Sequence, residues 1–352
     1  MAQIKLLWDS GSAYDFFMSL RVLHEPNKWG LRGAWAAGVR SRLSAENRDF
    51  FKTLGILRHT PVHWINTLPQ PKDAQTALNA LLATPPAERL HYFTSPLYAD
   101  IDRVPEIAAV LHRTTEQGRW TEADVKLLHK QERKHGVRRK EIEQMLAWWA
   151  KPEAFGIQIL SALQNYYEVF FAEEEVRVQP YLVKAQDDAK QLATSLSLRT
   201  LIEELSHGVR YDNEMLNQQM ELTLAPSFWI TPFMVAGSLS GGNRLFLYAA
   251  RPDDTSLVPG EVVPDALSKA LKALADPTRL KILRYLSAEP HTPTELAHKL
   301  RLRPPTVIHH LHTLRLAQLV YITFSQEGKR YAARTGALDT TLNSLRTFLG
   351  GN

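Results

Sequence analysis

The 352-residue chain contains no cysteine. It therefore cannot form a disulfide, a thiolate metal site, a thiol redox switch or a cysteine nucleophile. Long apolar runs are also missing, because the largely apolar stretch at residues 229–239 is far shorter than the roughly 20 residues that span a bilayer. The first residues lack the basic start and apolar core of a signal peptide. These absences predict a cytoplasmic protein without a membrane span.

What the chain does contain is an uneven distribution of charge. With 44% apolar and 22% charged residues its composition is globular, and its length suggests two or three domains. Residues 261–352 hold 13 Lys and Arg against 7 Asp and Glu, a net charge of +6, whereas residues 1–260 hold 29 against 30, a net charge of −1. A basic domain beside a neutral one points to a polyanionic partner, and a solvated basic surface is the alternative interpretation.

Residues 1–250 are predicted to form a mainly α domain, helical with a small antiparallel β element. Ser12 and Thr121 indicate helix starts, since each is followed three residues later by Asp and then by apolar residues at helical spacing. Residues 221–225 alternate with period two, and apolar segments flank residues 240–243 (SGGN), a sequence typical of a hairpin turn.

Residues 251–264 (RPDDTSLVPGEVVP) have the composition of a linker, so a second domain is expected over residues 265–352. In that domain Asp276-Pro277 is typical of a helix N-terminus. Thr292-Pro-Thr-Glu295 is the sequence of a capping box that opens a short helix.

A turn then leads to a further helix that begins near Pro305. Val307, Leu311 and Leu314 fall on one face of this helix and are expected to face a core. The opposite face carries polar residues, namely Thr306, His309, His312 and Thr313. Two short helices joined in this way indicate a helix-turn-helix, whose second helix fits the DNA major groove.

Two strands are predicted after this helix. Residues 320–324 (VYITF) and the basic residues 329–334 (KRYAAR) flank a turn that contains Gly328. A two-stranded wing of this kind can lay Lys329 and Arg330 along phosphates. The fold predicted for residues 265–352 is therefore a winged helix-turn-helix.

Residues 273–283 (ALADPTRLKIL) and 306–320 (TVIHHLHTLRLAQLV) resemble the opening helix and the recognition helix of the ArsR family of winged helix-turn-helix repressors. The resemblance covers about a quarter of the chain and implies a dimeric bacterial transcription factor that binds a palindromic operator. Two positions depart from the pattern, because Ile308 stands where the family usually has Ser and Gln318 where it usually has Gly. The N-terminal region resembles the helical extension of some members.

The DNA-binding residues follow from these arguments. We expect groove contacts from the polar helix face and phosphate contacts from the basic residues around it. His310 matches a His that is common in the family, and a packed structural role is the alternative for it. The predicted set is Arg303, Thr306, His309, His310, His312, Lys329 and Arg330. The resemblance also implies a homodimer through the first and last helices of the domain, which here means Leu267, Leu271, Leu274, Leu338, Leu342, Leu345 and Phe348. Packing of these residues within one subunit is the alternative.

Other functions are less well supported by the sequence. The His309–His312 cluster could hold a metal, but without Cys, and without His in residues 336–352, DNA contact is favoured. His59 and His63 have the spacing of a helical zinc pair, but Pro61 lies between them, which argues against a zinc site there. With neither His group favoured as a metal site, we expect no metal and no cofactor.

Two further alternatives concern the whole chain. A winged helix used only for protein contact remains open. So does an enzyme in residues 1–250, although no catalytic constellation is visible there. All eight Trp precede the linker, and they indicate either a packed core or a hydrophobic pocket for a small organic effector.

Overall fold

The computed structural model describes residues 4–54, 60–98, 105–132, 137–212 and 221–350. Within these ranges the chain is mainly helical and has two small sheets, as the sequence predicts. Among the helices of these ranges, none combines the length and the apolar content that crossing a bilayer requires.

The N-terminal helices pack around one large apolar core. In chain order they are α1 (Ser12–His24), α2 (Pro26–Trp29), α3 (Gly33–Ser41), α4 (Ala45–Leu54), α5 (Val62–Thr67), α6 (Ala74–Ala83), α7 (Arg89–Tyr98), α8 (Pro105–Gln117), α9 (Glu122–Glu132), α10 (Arg139–Ala150), α11 (Pro152–Tyr166), α12 (Ala172–Ala193) and α13 (Leu198–Leu205). A π-helical turn, Tyr167–Phe171, joins α11 to α12.

Helix α1 lies inside this core and is buried on nearly all sides, which its apolar sequence explains. It begins at Ser12, as predicted, but the Ser12 side chain does not cap it; its hydroxyl donates to the Glu175 carboxylate instead. The carboxylate of Asp15 accepts hydrogen bonds from the Ser227 hydroxyl and from two backbone N–H groups, those of residues 228 and 229. Burial raises the pKa of Asp15 to about 6.

The first sheet consists of β1 (Lys5–Trp8), β3 (Glu221–Ser227), β4 (Val235–Ser238) and β5 (Arg244–Ala249), in the order β1-β3-β5-β4. The predicted hairpin is present, since β4 and β5 pair antiparallel around residues 240–242. The other two pairings, β1 with β3 and β3 with β5, are parallel. The sequence predicted an antiparallel element, and the sheet is mixed instead. Local alternation of apolar and polar residues does not show how strands distant in sequence pair.

The C-terminal domain contains α14 (Asp265–Leu274), α15 (Pro277–Ala288), α16 (Pro293–Leu300), α17 (Pro304–Leu316), β6 (Val320–Ser325), β7 (Gly328–Ala333) and α18 (Gly336–Phe348). Both predicted helix starts are present. Asp276 accepts a hydrogen bond from the backbone N–H of Arg279, and Thr292 and Glu295 form a capping box. These caps satisfy backbone donors that would otherwise have no partner at the helix starts.

A strand from the N-terminal region joins the sheet of the C-terminal domain. Strand β2 (Val209–Tyr211) pairs parallel with β6, which pairs antiparallel with β7, so the order is β2-β6-β7. The connecting residues 251–264 contain no helix or strand, and although several of them are exposed, residues 251, 256 and 257 are buried. Arg251 is buried and donates to Asp265, and Leu257 is buried in the N-terminal core.

Candidate nucleic-acid interface

Helix α17 follows α16 after a short turn. Arg301 ends α16 in a left-handed conformation with φ of 54°, and the chain then enters α17 at Pro304. Val307, Leu311 and Leu314 are at most 1% exposed, so the predicted buried stripe is present. The two helices therefore form the helix-turn-helix that the sequence predicts.

The first turns of α17 lie on the surface. Arg303, Thr306 and His309 are exposed, and so is Ile308. In a helix-turn-helix the N-terminal residues of the second helix contact base edges, and this is the part of α17 that is free to do so. Arg301, which the sequence analysis did not single out, is also exposed and lies in the adjoining turn.

His310 lies to one side of this exposed face. It is half-buried close to Asp276 and Arg279, at the start of α15, and burial lowers its pKa. Its Nδ1 atom is buried and has no hydrogen-bond partner among the described residues. The structure thus places this imidazole against the start of α15, with its ring centroid 6.2 Å from that of His309.

His312 faces the N-terminal region. Its ring stacks on Phe233 with centroids 5.8 Å apart and an interplanar angle of 12°, and burial lowers its pKa. Six residues turn a helix by about 600°, so His312 lies about 120° around the axis from Thr306. The predicted groove contact from His312 would require the N-terminal region to move away, since Phe233 now covers the ring.

Arg315 fixes the same junction one turn further along α17. Its side chain is buried and donates to the carbonyl oxygens of Ser206 and His207, the latter at 2.6 Å. Burial lowers the pKa of Arg315 to about 10. Two carbonyl groups at the end of α13 thereby hold the C-terminal half of α17. No local sequence pattern predicts this contact.

The turn after α17 explains one departure from the family pattern. Gln318 has φ of 57°, in the left-handed region that Gly adopts without strain. The Gln318 side chain donates to Asp253 at 2.8 Å. This hydrogen bond ties the end of α17 to the connecting residues 251–264.

The wing presents Lys329 and Arg330 differently. Lys329 is exposed, and its ammonium lies 5.1 Å from the centroid of the Phe324 ring. Arg330 is half-buried, 3.5 Å from a carboxylate oxygen of Glu295, and donates to the Pro290 carbonyl. Lys329 is therefore the freer of the two cations, while Arg330 ties β7 to α16.

The residues predicted for a dimer interface fall into two groups. Leu267 is 3% exposed, and Leu274 is partly buried against the C-terminal core. On α18, by contrast, Leu342 is 50% exposed and Leu338 and Phe348 are also exposed. Leu271 of α14 is 38% exposed. The exposed apolar residues of α14 and α18 therefore form an apolar surface. Leu267 and Leu274 contribute little to this surface, because they pack inside their own chain.

No cluster of three metal-ligating side chains occurs in the ranges that the structure describes. His63 lies on α5, but His59, the other half of the zinc pair considered above, lies outside the described residues.

The comparisons with known proteins concern the same part of the chain. Residues 276–321 match the family described as "Bacterial regulatory protein, arsR family". The transcriptional repressor SdpR of Bacillus subtilis (strain 168) is 28% identical over 83 residues, which is 24% of this chain and 92% of SdpR. NolR from Sinorhizobium fredii, a crystal structure, is 27% identical, covers 25% of this chain and 88% of its own, and has a TM-score of 0.21. The resemblance proposed from the sequence is confirmed: the C-terminal quarter of this chain carries an arsR-family helix-turn-helix, a DNA-binding regulatory segment.

Proposed function

We propose that this protein is a transcriptional repressor that binds a palindromic operator in double-stranded DNA as a homodimer, and that it acts by binding rather than by catalysis. The observation that supports this most directly is the surface formed by Arg303, Thr306 and His309. These side chains lie together at the start of a helix whose opposite stripe is buried.

Two energetic contributions are expected at this surface. Lys329, Arg301 and Arg303 neutralise phosphates and release counterions, which supplies most of the affinity and makes it depend on salt. Thr306 and His309 read base edges, at about 1–3 kcal/mol for each good contact. Because Arg330 is already paired with Glu295, we assign it a smaller share of the phosphate contacts than Lys329.

Dimerisation is proposed from the apolar surface of α14 and α18. A single winged domain contacts too little DNA for strong specificity, and two copies related by a two-fold axis would read two half-sites. Their centres would lie about 34–36 Å apart, one turn of DNA. An organic effector that binds the N-terminal region would then control the affinity for DNA.

The first experiment is footprinting of the full chain on the DNA upstream of its own gene. Titration of the protected fragment over a range of salt concentrations then tests the assigned cation. Lys329→Ala should weaken binding to all sequences and lower the slope of log affinity against log salt by about 1.

Lys190→Ala is the matched control, since it removes an exposed Lys from α12 in the N-terminal region, and it should leave both quantities unchanged. If Lys329→Ala leaves the salt slope at the wild-type value, the wing takes no part in binding. If no fragment is protected at any salt concentration, the repressor proposal fails.

A further inference from the structure

A cleft of about 600 Å³ opens on one face of the first sheet. Its lining includes Leu7 of β1 and Thr223 of β3, which are paired in register. Residues of α5 and α7, together with Leu239 and Asn243 from the segment between β4 and β5, also line it. A cleft of this volume suits a small organic molecule rather than a single ion.

One side of the cleft is aromatic. The rings of Trp64 on α5 and Tyr92 on α7 stack with centroids 4.9 Å apart and an interplanar angle of 15°. Both residues line the cleft, but Trp64 is 6% exposed and Tyr92 is half-buried, so Tyr92 offers most of the π surface that a ligand can reach. Such a surface attracts planar rings and cations.

The charged group in the lining is a carboxylate. Among the residues that the structure describes, Glu221, His63 and His91 line the cleft, and no Lys or Arg does. Its carboxylate accepts hydrogen bonds from Lys5 at 2.9 Å and from Asn243 at 3.3 Å, and the Lys5 side chain is 65% exposed. Burial lowers the pKa of His63, so this imidazole is neutral near pH 7 and adds no positive charge. The lining therefore favours a cation over an anion.

We propose that this cleft binds a small aromatic amine, with its ring against Trp64 and Tyr92 and its ammonium group at Glu221. The amine would displace Lys5, whose ammonium is a surface partner of the same carboxylate. Because an exposed ion pair of this kind contributes little, the exchange costs little.

The cleft is connected to the DNA-binding helix through one strand. Leu239, at one end of β4, lines the cleft, while Phe233, just before the other end, stacks on His312 of α17. Extended residues rise about 3.3 Å each, so the two contacts are about 20 Å apart. A Cβ atom at Gly237 would lie 2.1 Å from Val62 Cγ2, which shows how closely β4 packs on α5. A ligand that shifts α5 would thus move Phe233 against α17, and this regulatory link rests on the proposed function.

Calorimetric titration of the full chain tests the site with three indoles that differ in charge: tryptamine, 3-methylindole and indole-3-acetate. We expect tryptamine to bind most tightly and indole-3-acetate least. Glu221→Gln should weaken tryptamine binding about three- to tenfold and leave 3-methylindole unchanged.

Lys5→Gln is the matched variant, because it breaks the same ion pair but keeps the carboxylate. It should leave tryptamine binding unchanged or strengthen it. If both variants weaken tryptamine binding equally, or if the three indoles bind alike, the proposed amine site is wrong.

Tyr92→Leu, which removes half of the aromatic pair, should weaken all three indoles; unchanged binding would also overturn the proposal.

A second titration, of operator DNA with and without saturating tryptamine, tests the regulatory link separately. A changed DNA affinity in the wild type, which in Glu221→Gln needs about three- to tenfold more tryptamine, supports the link. Tryptamine binding without any effect on DNA affinity overturns the link but not the amine site. Failure to bind DNA in every condition would instead refute the proposed function, whatever the calorimetry shows.

Discussion

At the scale of single residues, two ionisable side chains, those of Asp15 and His207, respond to pH in opposite directions. Burial raises the pKa of Asp15 to about 6, so between pH 4 and 6 the folded chain holds a proton that the unfolded chain has lost. Acidification therefore stabilises the fold through Asp15. Burial lowers the pKa of His207 to about 4, so the folded state loses stability through this group as the pH falls below the ordinary value of about 6.5.

Asp15→Asn should make the chain more sensitive to acid. Between pH 7 and pH 5 the variant should lose about 1 kcal/mol more free energy of unfolding than the wild type, because it lacks the stabilising protonation. Urea unfolding at the two pH values measures this difference. Asp187→Asn, an exposed substitution on α12, serves as the control. Equal losses in the wild type and Asp15→Asn would show that Asp15 has an ordinary pKa.

At the scale of secondary-structure elements, Tyr211 connects the two sheets. Its ring stacks on Phe246 of β5 at 5.8 Å and on Phe324 of β6 at 5.4 Å. Tyr211→Ala removes both contacts and should lower the free energy of unfolding by about 2 kcal/mol. Amide hydrogen exchange in β6 should also become faster, because β2 no longer holds that strand as firmly.

Tyr285→Ala truncates a side chain of the same size on α15 and is the control. It should leave exchange in β6 unchanged. If Tyr211→Ala also leaves exchange in β6 unchanged, the wing is stable without its contact to the first sheet.

Local elements could be predicted from the sequence, but pairings between distant segments could not. The helix starts at Asp276 and Thr292 were predictable because a cap joins groups three residues apart. The wing was predictable because its two strands are adjacent in sequence. Strand β1 pairs with a strand more than 200 residues away, and nothing in its own four residues identifies that partner.

The site shows the same division. The buried stripe of α17 and the exposure of Thr306 and His309 follow from helical periodicity. His312 stacks on Phe233, which belongs to another part of the chain, so helical periodicity alone could not predict this contact.

At the scale of the whole molecule, the proposed dimer makes a direct prediction. Leu342→Glu puts a charge in the exposed apolar surface of α18 and should convert dimers to monomers, which sedimentation velocity measures. Leu82→Glu places the same charge on α6, where Leu82 is 60% exposed, and should leave the dimer intact. Dimers that persist in Leu342→Glu would locate the interface elsewhere.

Strand β2 covers one side of β6, and this has a consequence for any attempt to separate the DNA-binding quarter from the rest. A fragment that starts at residue 265 would leave the backbone N–H and C=O groups of β6 open along that side. Open edges recruit strands from other molecules, so such a fragment is expected to self-associate and precipitate. In a fragment that retains α13 and β2, strand β2 would still pair with this edge of β6, so we expect that fragment to self-associate less.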